Sequence, residues 1–380
     1  MQVLDDDSKN FCDQPTSEKE LGIALYQMNS TSSPGGGGFT TAFYKYFWKD
    51  LKDIIAGSLK QGLEKGELSY EQREGLLILL PKKDKDLLEI ENFRPISLLN
   101  VDYKILTKCL SNRLQKVLNK LIDFEQNGFI RGRNICNATL SISEIIAFCW
   151  NENLSYGILS LDMKKAFDMV DRSYIIRVLK HMNFGETFIE YIKCICKNNF
   201  STIVRNGVRE LEFGIERGCR QGDGISALLF IIALQPLMGA IKSDPRIQGI
   251  KIKNKTLKLE LLADDTSVYI KNEADILAVL DILNEFQKVS GLTINEDKSK
   301  ILWLGKTPKT SKIGELETVQ TLKSLGIDFS ADPGGTRETN YQKLIAKVHN
   351  LCEKFKRFHY DFSKRLCFKY LYFKSSMVYK

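Results

Sequence analysis

Histidine is scarce in this sequence, with three in 380 residues, at positions 181, 349 and 359. Histidine-based acid–base chemistry and Cys₂His₂ zinc sites are therefore poor first hypotheses. The nine cysteines are odd in number, none has a Cys-x-x-Cys neighbour, and no histidine completes a finger pattern with Cys194 and Cys196. We expect reduced core thiols and no disulfide framework, so carboxylates are the better candidates for chemistry.

Long apolar runs are also missing. The longest, residues 225–234, falls well short of the roughly 18–20 residues that a membrane span needs. The N-terminus, Met-Gln-Val-Leu-Asp-Asp-Asp, lacks the basic and apolar regions of a signal peptide. We therefore expect an intracellular protein with no membrane contact. Its 43% hydrophobic and 27% charged residues are ordinary for a globular chain of two or so domains.

The excess of positive charge is confined to one end of the chain. The net charge is +8, and residues 340–380 hold ten basic against two acidic side chains, so the first 339 residues are formally neutral. Ten Phe and Tyr residues share that segment. This composition favours contact with nucleic-acid phosphates. The alternative is an ordinary helix with its aromatic rings packed on the protein and its lysines in solvent.

The hydrophobic pattern predicts short strands separated by long helices, which is typical of an α+β fold. The clearest predicted elements are a buried strand at 75–80 ended by Pro81, a helix at 104–121, a strand at 158–161, a strand–turn–strand at 257–270 and a helix at 273–290 ended by Gly291.

Two acidic segments stand at the polar ends of predicted apolar strands. Asp162 follows the strand at 158–161, and Asp264 and Asp265 form the tip of the hairpin about 100 residues later. If these strands are neighbours in one sheet, three carboxylates converge, and their repulsion favours binding of Mg²⁺ ions. Two such ions support phosphoryl transfer. The alternative is that Asp162 caps a helix and the pair merely forms a turn.

Six motifs occur in an order that resembles reverse transcriptases of non-LTR (LINE-type) retrotransposons and of group II introns. They are Arg-Pro-Ile-Ser-Leu-Leu-Asn at 94–100, Gly-Phe-Ile-Arg-Gly-Arg at 128–133, Ser-Leu-Asp-Met-Lys-Lys-Ala-Phe-Asp at 160–168, Arg-Gly-Cys-Arg-Gln-Gly-Asp-Gly-Ile-Ser at 217–226, Leu-Ala-Asp-Asp at 262–265 and Ser-Gly-Leu-Thr-Ile-Asn at 290–295. The resemblance runs from about residue 33 to residue 325. It implies a right-hand polymerase fold: an N-terminal leader and helical extension at 1–60, fingers and palm at 61–330, and the basic start of a truncated thumb at 331–380.

The resemblance also implies roles for residues. Asp162, Asp264 and Asp265, with the carbonyl of Met163, are expected to hold two Mg²⁺ ions, with Mn²⁺ as an alternative. Phe167 matches the aromatic gate that excludes a 2′-hydroxyl. The other expected contacts are Gln221 and Gly222 with template and new base pair, Arg217 and Arg220 with template phosphates, Lys82 and Arg94 with the incoming triphosphate, and Lys298, with Lys300 as rival, with the leaving pyrophosphate. The alternatives are packing at the start of a helix for Phe167, solvated surface charges for Arg217 and Arg220, and a plain exposed loop at 82–86.

The implied activity is RNA-directed DNA synthesis from an RNA template, a DNA primer and dNTPs, in a nuclear or cytoplasmic ribonucleoprotein. The chain is expected to be a fragment of a longer polyprotein. Departures from the family pattern are the missing Asp after Ser33-Pro34-Gly35, Gly224 in place of Pro, and Leu262 in place of Phe or Tyr. They leave open an inactive fragment that retains at most nucleic-acid binding. A viral-type RNA polymerase is disfavoured by Phe167 and by Ala263 before the aspartate pair.

Overall fold

A computed structural model of the chain describes residues 1–82, 86–205, 207–305, 314 and 316–356. Its mixture of helices and antiparallel-dominated sheets confirms the predicted α+β fold. The helices are α1 (Asp6–Asp13), α2 (Glu18–Gln27), α3 (Thr41–Tyr46), α4 (Trp48–Lys65), α5 (Tyr70–Arg73), α6 (Val101–Leu121), α7 (Ile135–Asn151), α8 (Ala166–Met169), α9 (Arg172–His181), α10 (Glu186–Cys196), α11 (Ser226–Ser243), α12 (Glu273–Ser290) and α13 (Pro333–Lys356).

The strands form two larger sheets and two small hairpins. They are β1 (Glu74–Pro81), β2 (Phe93–Leu99), β3 (Gly157–Leu161), β4 (Phe200–Arg205), β5 (Val208–Gly214), β6 (Ile250–Ile252), β7 (Lys255–Leu257), β8 (Leu259–Leu262), β9 (Asp265–Ile270), β10 (Lys300–Trp303), β11 (Glu317–Thr318), β12 (Thr321–Ser324) and β13 (Ile327–Ser330). The β6–β7 and β12–β13 pairs are the small hairpins. Leu257, predicted to start the acidic strand–turn–strand, instead ends β7 in one of them.

The central sheet has the strand order β11-β10-β3-β9-β8. β3 lies in its middle and is antiparallel to both β9 and β10. Four of its five residues are buried, which explains why its sequence is an apolar run rather than an alternating pattern. The sheet therefore brings together segments that lie far apart in the chain.

The outer sheet has the strand order β2-β1-β4-β5, with β1 antiparallel to β2 and parallel to β4. Pro81 ends β1, as its missing amide hydrogen predicts, and is paired with Phe93. β5 is exposed along its whole length and forms one edge.

The apolar helix α11 packs in the core against α9 and α12. Within the described parts of the chain it is the one helix long and apolar enough to cross a membrane, and 67% of it is buried inside the protein. Such burial is what a core helix of a globular domain shows.

The leader is predicted as a polar segment over residues 1–30, at the start of the extension at 1–60, but α1 and α2 pack against α6. Leu4, Cys12, Leu21 and Leu25 are buried in the main hydrophobic core. The segment is acidic in composition, yet these four apolar side chains point inward, whereas others such as Val3 and Ile23 stay exposed. α2 begins with a capping box in which Ser17 and Glu20 bond each other's backbone.

The basic, aromatic-rich segment predicted as the start of a thumb lies outside the described residues from position 357 onward. Its beginning is the long helix α13, which contacts β13. Lys343 in this helix pairs with Asp328, with 2.5 Å between Nζ and Oδ2. At least one of the ten basic side chains therefore has a protein partner.

Candidate active site

Three aspartates lie at one end of the central sheet. β3 ends at Leu161, so Asp162 is the next residue, and β9 begins at Asp265. The two strands are antiparallel with Leu161 opposite Thr266, which places Asp162 beside Asp265. Asp264 lies in the tight turn that joins β8 to β9. The strand register therefore brings the two acidic segments together.

Two carboxylates of this cluster, Asp264 and Asp265, are harder to ionise than ordinary aspartates because the pKa of each is raised. Burial raises the pKa of Asp264, and the nearby charge of Asp162 raises it further. Burial also raises the pKa of Asp265, with added contributions from the charges of Asp264 and Asp162. A cation among these oxygens reverses the effect, because it neutralises charges that otherwise repel each other.

The donor chemistry fits a hard divalent cation, since Mg²⁺ and Mn²⁺ prefer carboxylate oxygens. Among the residues that the structure describes, no three acidic, cysteine or histidine side chains are grouped closely enough to hold an ion as they stand. The Asp162 carboxylate instead faces Lys298, with 3.6 Å between Oδ2 and Nζ. A cation bound at Asp162 would compete with this ion pair.

Lys298 and Lys300 are the two candidates for the lysine at this site, and they have different ion-pair partners. Lys298 is the one that faces Asp162. Lys300 lies in β10 and pairs with Glu317, with 2.7 Å between Nζ and Oε2. Lys298 is therefore the lysine that the fold brings to the aspartates.

The backbone of Asp162 is fixed by the segment that follows α12. The amide of Asn295 donates to the Asp162 carbonyl at 2.7 Å. The Asp162 amide donates to the hydroxyl of Ser299 at 3.1 Å, and that hydroxyl is itself held by the Asn295 carbonyl at 2.8 Å. These bonds set the point from which the Asp162 side chain starts.

Met163 forms an isolated antiparallel bridge with Ile294 in the same segment. Its hydrogen bonds run from the Lys164 amide to the Thr293 carbonyl, at 2.8 Å, and from the Asn295 amide to the carbonyl before Met163. Neither uses the Met163 carbonyl, so the pairing is compatible with its predicted use as a backbone ligand.

The ring of Phe167 is held between two other aromatic rings. It stacks on Phe230 with 4.7 Å between ring centroids and meets Phe129 edge-on at 6.3 Å. Phe167 lies in the short helix α8, directly beyond the Asp162 loop. Such paired contacts restrict the ring to one place, which a steric gate requires.

The glycine-rich loop at 217–225 packs against the Phe167 segment. The amide of Cys219 donates to the Phe167 carbonyl at 2.7 Å, and the amide of Gly218 donates to the Val170 carbonyl at 2.9 Å. A Cβ on Gly218 would lie 2.6 Å from the Phe167 carbonyl oxygen. Only glycine allows this close approach.

The other end of the same loop reaches the outer sheet. Gly222 has φ +122°, and a Cβ there would lie 2.6 Å from the carbonyl oxygen of Ser97 in β2. The amide group of Gln221 donates to Asp168 at 3.4 Å. A cavity of about 220 Å³ at this junction is lined by Ser97, Asp168, Arg217 and Gln221 among others. The loop thus lies between the outer sheet and the segment that follows β3.

Arg217 and Arg220 were both predicted to contact template phosphates, but the structure separates them. Arg217 is exposed, whereas Arg220 is only 6% exposed. The Arg220 guanidinium lies 5.3 Å from the ring centroid of Tyr103 and donates to the carbonyls of Arg73 and Phe200. Burial also lowers its pKa. The Arg220 guanidinium is thus turned into the protein, and its contact with a template phosphate stays a prediction.

Lys82 and Arg94 lie at the same end of the β1–β2 pair. Lys82 directly follows β1, and its amide donates to the carbonyl of Asn92 at 2.8 Å. Arg94 is opposite Leu80 in the register and is exposed. The predicted triphosphate contacts are therefore neighbours, although residues 83–85 of the connecting loop lie outside the described residues.

This geometry agrees with a family comparison. Residues 80–329 match the model of the family described as “Reverse transcriptase (RNA-dependent DNA polymerase)”. The chain belongs to the reverse transcriptase family. All of the predicted site residues of this reverse transcriptase domain, from Lys82 to Lys298, lie within the matched range.

Relatives of this reverse transcriptase domain come from retrotransposable elements. It is 34% identical over 312 residues to the “Transposon TX1 uncharacterized 149 kDa protein” of Xenopus laevis, which covers 80% of the chain and 23% of the relative. It is 24% identical over 330 residues to the “Retrovirus-related Pol polyprotein from type-2 retrotransposable element R2DM” of Drosophila melanogaster. This match covers 82% of the chain and 30% of the relative. A “Retrovirus-related Pol polyprotein from type-1 retrotransposable element R2” of Popillia japonica is 29% identical over 222 residues. This match covers 58% of the chain and 31% of the relative.

The predicted type, a reverse transcriptase domain of a non-LTR retrotransposon, is confirmed by these relatives. The chain spans less than a third of the length of each of the three.

Two residues that support the reverse transcriptase site were not predicted. Phe230 lies in α11 within a run of apolar, buried residues from 228 to 234, so nothing in the pattern distinguishes it. Ser299 lies one position beyond the lysine that faces Asp162, and a lone serine carries no sequence signal. Only the fold shows which residue each one contacts.

Proposed function

We propose that this domain extends a DNA 3′ end on an RNA template with dNTPs, by nucleotidyl transfer at Asp162, Asp264 and Asp265. The observation that carries the proposal is the placement of these three carboxylates at one end of one sheet. Burial and mutual repulsion raise the pKa values of two of them. A protein keeps such an arrangement where a cation and a charged substrate are to be bound.

Asp162, Asp264 and Asp265, with the Met163 carbonyl, would hold two Mg²⁺ ions, with Mn²⁺ as an alternative. When bound, such ions supply charge neutralisation to the attacking and leaving oxygens. The side chains of the protein hold the ions in place and orient the primer end toward the α-phosphate of the dNTP. Lys298 already reaches the acidic cluster, and its Nζ is the group we assign to give a proton to the leaving pyrophosphate.

The surrounding residues fit the remaining parts of the substrate. Gln221 and Gly222 lie on the exposed loop between the sheets, where a template strand and the new base pair can approach the backbone. The exposed Arg217 is available to template phosphates. Lys82 and Arg94 are suited to the triphosphate, because charge-assisted contacts to phosphate are strong. Action inside the cell, in the nucleus or cytoplasm as a ribonucleoprotein, stays a prediction.

The direct experiment is extension of an oligo(dT) primer on poly(rA) by the 380-residue chain. We expect incorporation of dTTP that depends on added Mg²⁺ and that stops when the ion is chelated. Binding of the template–primer without extension, over a range of metal and salt concentrations, would instead support the alternative of an inactive fragment. Preferred use of UTP by the unaltered protein would indicate an RNA polymerase.

A second prediction concerns sugar selection by Phe167. In Phe167→Ala, the space occupied by the ring is open to a 2′-hydroxyl, so the ratio of kcat/KM for UTP to that for dTTP should rise about 10- to 100-fold. Single-nucleotide incorporation measures this ratio. Phe124→Ala is the matched control, because Phe124 is 80% exposed and should leave the ratio unchanged. Unaltered selectivity in an active Phe167→Ala protein would show that the gate is elsewhere.

A further inference from the structure

A short segment, residues 125–128, lies along the edge of β8. The amide of Leu261 donates to the Glu125 carbonyl at 2.9 Å, and the amide of Asn127 donates to the Leu261 carbonyl at 2.8 Å. Gln126 is thereby bridged in parallel to Leu261. The segment extends the central sheet next to the turn that carries Asp264, and the proposed chemistry gives it no role.

The side chain of Gln126 is hydrogen-bonded to the turn that carries Asp264. It is fully buried, with 0% exposure. Its Oε1 accepts the amide of Ala263 at 2.8 Å, and its Nε2 donates to the carbonyl of the same residue at 3.1 Å. Oε1 also accepts the amide of Gly128 at 2.8 Å. One amide group thus satisfies both backbone polar groups of the residue that precedes Asp264.

Ala263 needs such support because its backbone is unusual. Its φ is +59°, in the left-handed region that alanine rarely adopts. The direction in which the chain leaves Ala263 sets the positions of Asp264 and Asp265. A Cβ on Gly128 would lie 2.4 Å from the Ala263 nitrogen, so the approach of the two segments also depends on a glycine.

The segment that contains Gln126 is itself held in place by Arg133. The guanidinium of Arg133 donates to the carbonyls of Ile122 at 2.9 Å, Asp123 at 2.5 Å and Gln126 at 2.7 Å. The motif at 128–133 therefore has a structural role, because Gly128 permits the close approach to Ala263 and Arg133 holds the segment in place. A rigid support of this kind is what accurate placement of ligands requires.

We propose that Gln126 is a positioning residue that sets the placement of Asp264 and Asp265 through the backbone of Ala263. The proposal rests on the proposed function, because the property it controls is the affinity of these carboxylates for divalent cations. Gln126 touches neither substrate nor ion in this assignment.

The test compares the whole chain with Gln126→Met, which keeps the length of the side chain but removes all three hydrogen bonds. Mn²⁺ binding, followed by the electron paramagnetic resonance signal of the free ion, should weaken about tenfold. Hydrogen exchange of the peptide covering 259–268 should become faster. The kcat for primer extension should fall at least as much as the Mn²⁺ affinity, with the KM for template–primer unchanged.

The matched control is Gln72→Met. Gln72 is also a buried glutamine, 2% exposed, and its Nε2 donates to Ser58 and to Asp102 in the part of the chain around α5 and α6. We expect this variant to lose thermal stability but to keep the Mn²⁺ affinity and the exchange rate at 259–268. A loss of Mn²⁺ affinity equal to that of Gln126→Met would overturn the proposal.

A second variant, Gly128→Ala, disturbs the same contact from the other side and should reproduce both the weaker Mn²⁺ binding and the faster exchange. Gly57→Ala is its control, because a Cβ there meets nothing within 4 Å. Wild-type Mn²⁺ affinity in folded Gln126→Met and Gly128→Ala proteins refutes the positioning role. Absence of Mn²⁺ binding by the unaltered chain refutes the proposed function itself and, with it, the link from Gln126 to the ion.

Discussion

Asp264→Asn is expected to reduce DNA synthesis by the 380-residue chain at least about 1,000-fold, which corresponds to about 4 kcal/mol of transition-state stabilisation. The amide keeps the shape of the side chain but cannot supply the negative charge that a divalent cation requires. The remaining carboxylates, Asp162 and Asp265, hold the ions less tightly and in a different place. Single-turnover primer extension at saturating dTTP and Mg²⁺ measures the loss.

The same substitution should raise the stability of the protein in the absence of divalent ions. The pKa of Asp264 is raised in the folded state, so the ionised form is disfavoured there relative to the unfolded chain. This penalty is present at neutral pH and disappears as the pH falls through the raised pKa. Removing the charge removes the penalty, so the melting temperature in EDTA at pH 7 should increase.

Asp53→Asn serves as the control for both measurements, because the Asp53 side chain is 71% exposed on α4. It should leave both the rate and the melting temperature close to those of the unaltered chain. Activity of Asp264→Asn within tenfold of the unaltered protein would contradict the assignment of the active site. Lost activity together with a lower melting temperature would point to misfolding instead.

Arg113→Met is expected to lower the free energy of unfolding by about 3 kcal/mol. The guanidinium is 2% exposed, pairs with Glu20 at 2.7 Å and donates to the carbonyls of Cys12, Gln14 and Pro15. Methionine fills part of the volume but leaves these carbonyls and the carboxylate without their donor. The estimate is at the low end for a broken buried pair because Glu20 is partly exposed.

The result for Arg113→Met should be visible in urea unfolding and in limited proteolysis, where cleavage within residues 1–27 should become faster. Arg246→Met is the matched control. Arg246 is also ion-paired, here with Asp244 and Asp281, but its side chain is 53% exposed. Solvent screens that network, so its loss should change stability little. Equal stability of the two variants would contradict the view that the N-terminal helices are docked through Arg113.

Much of the site was predictable because its residues follow local rules. The apolar run of β3, the hairpin of β8 and β9, and the glycine that ends α12 each have a signal within a few residues. The position of Asp162 beside Asp265 also required that the two strands be neighbours, which hydrophobic periodicity does not show. Periodicity reports that a face is buried, not what covers it.

The contacts that were not foreseen share this cause. Arg220 stands in a basic, glycine-rich loop, where composition favours an exposed side chain, yet the fold turns it toward Tyr103. The N-terminal segment has an acidic composition, and its packing against α6 depends on Arg113, about 90 residues away. Gln126 is hydrogen-bonded to Ala263, which lies 137 residues further along the chain. Contacts of such sequence separation leave no pattern in a single sequence.

The central position of β3 has a consequence for the synthesis of the protein. Both neighbours of β3 follow it in the chain, and β10 is complete only at Trp303, 142 residues beyond the end of β3. At about 5–20 residues per second, a ribosome needs about 7–30 s to make that stretch. Until β10 has been made, at least one edge of this apolar strand stays unpaired, a state prone to aggregation. Strand order thus exposes the nascent chain to aggregation, and the acidic centre cannot assemble until most of the domain has been translated.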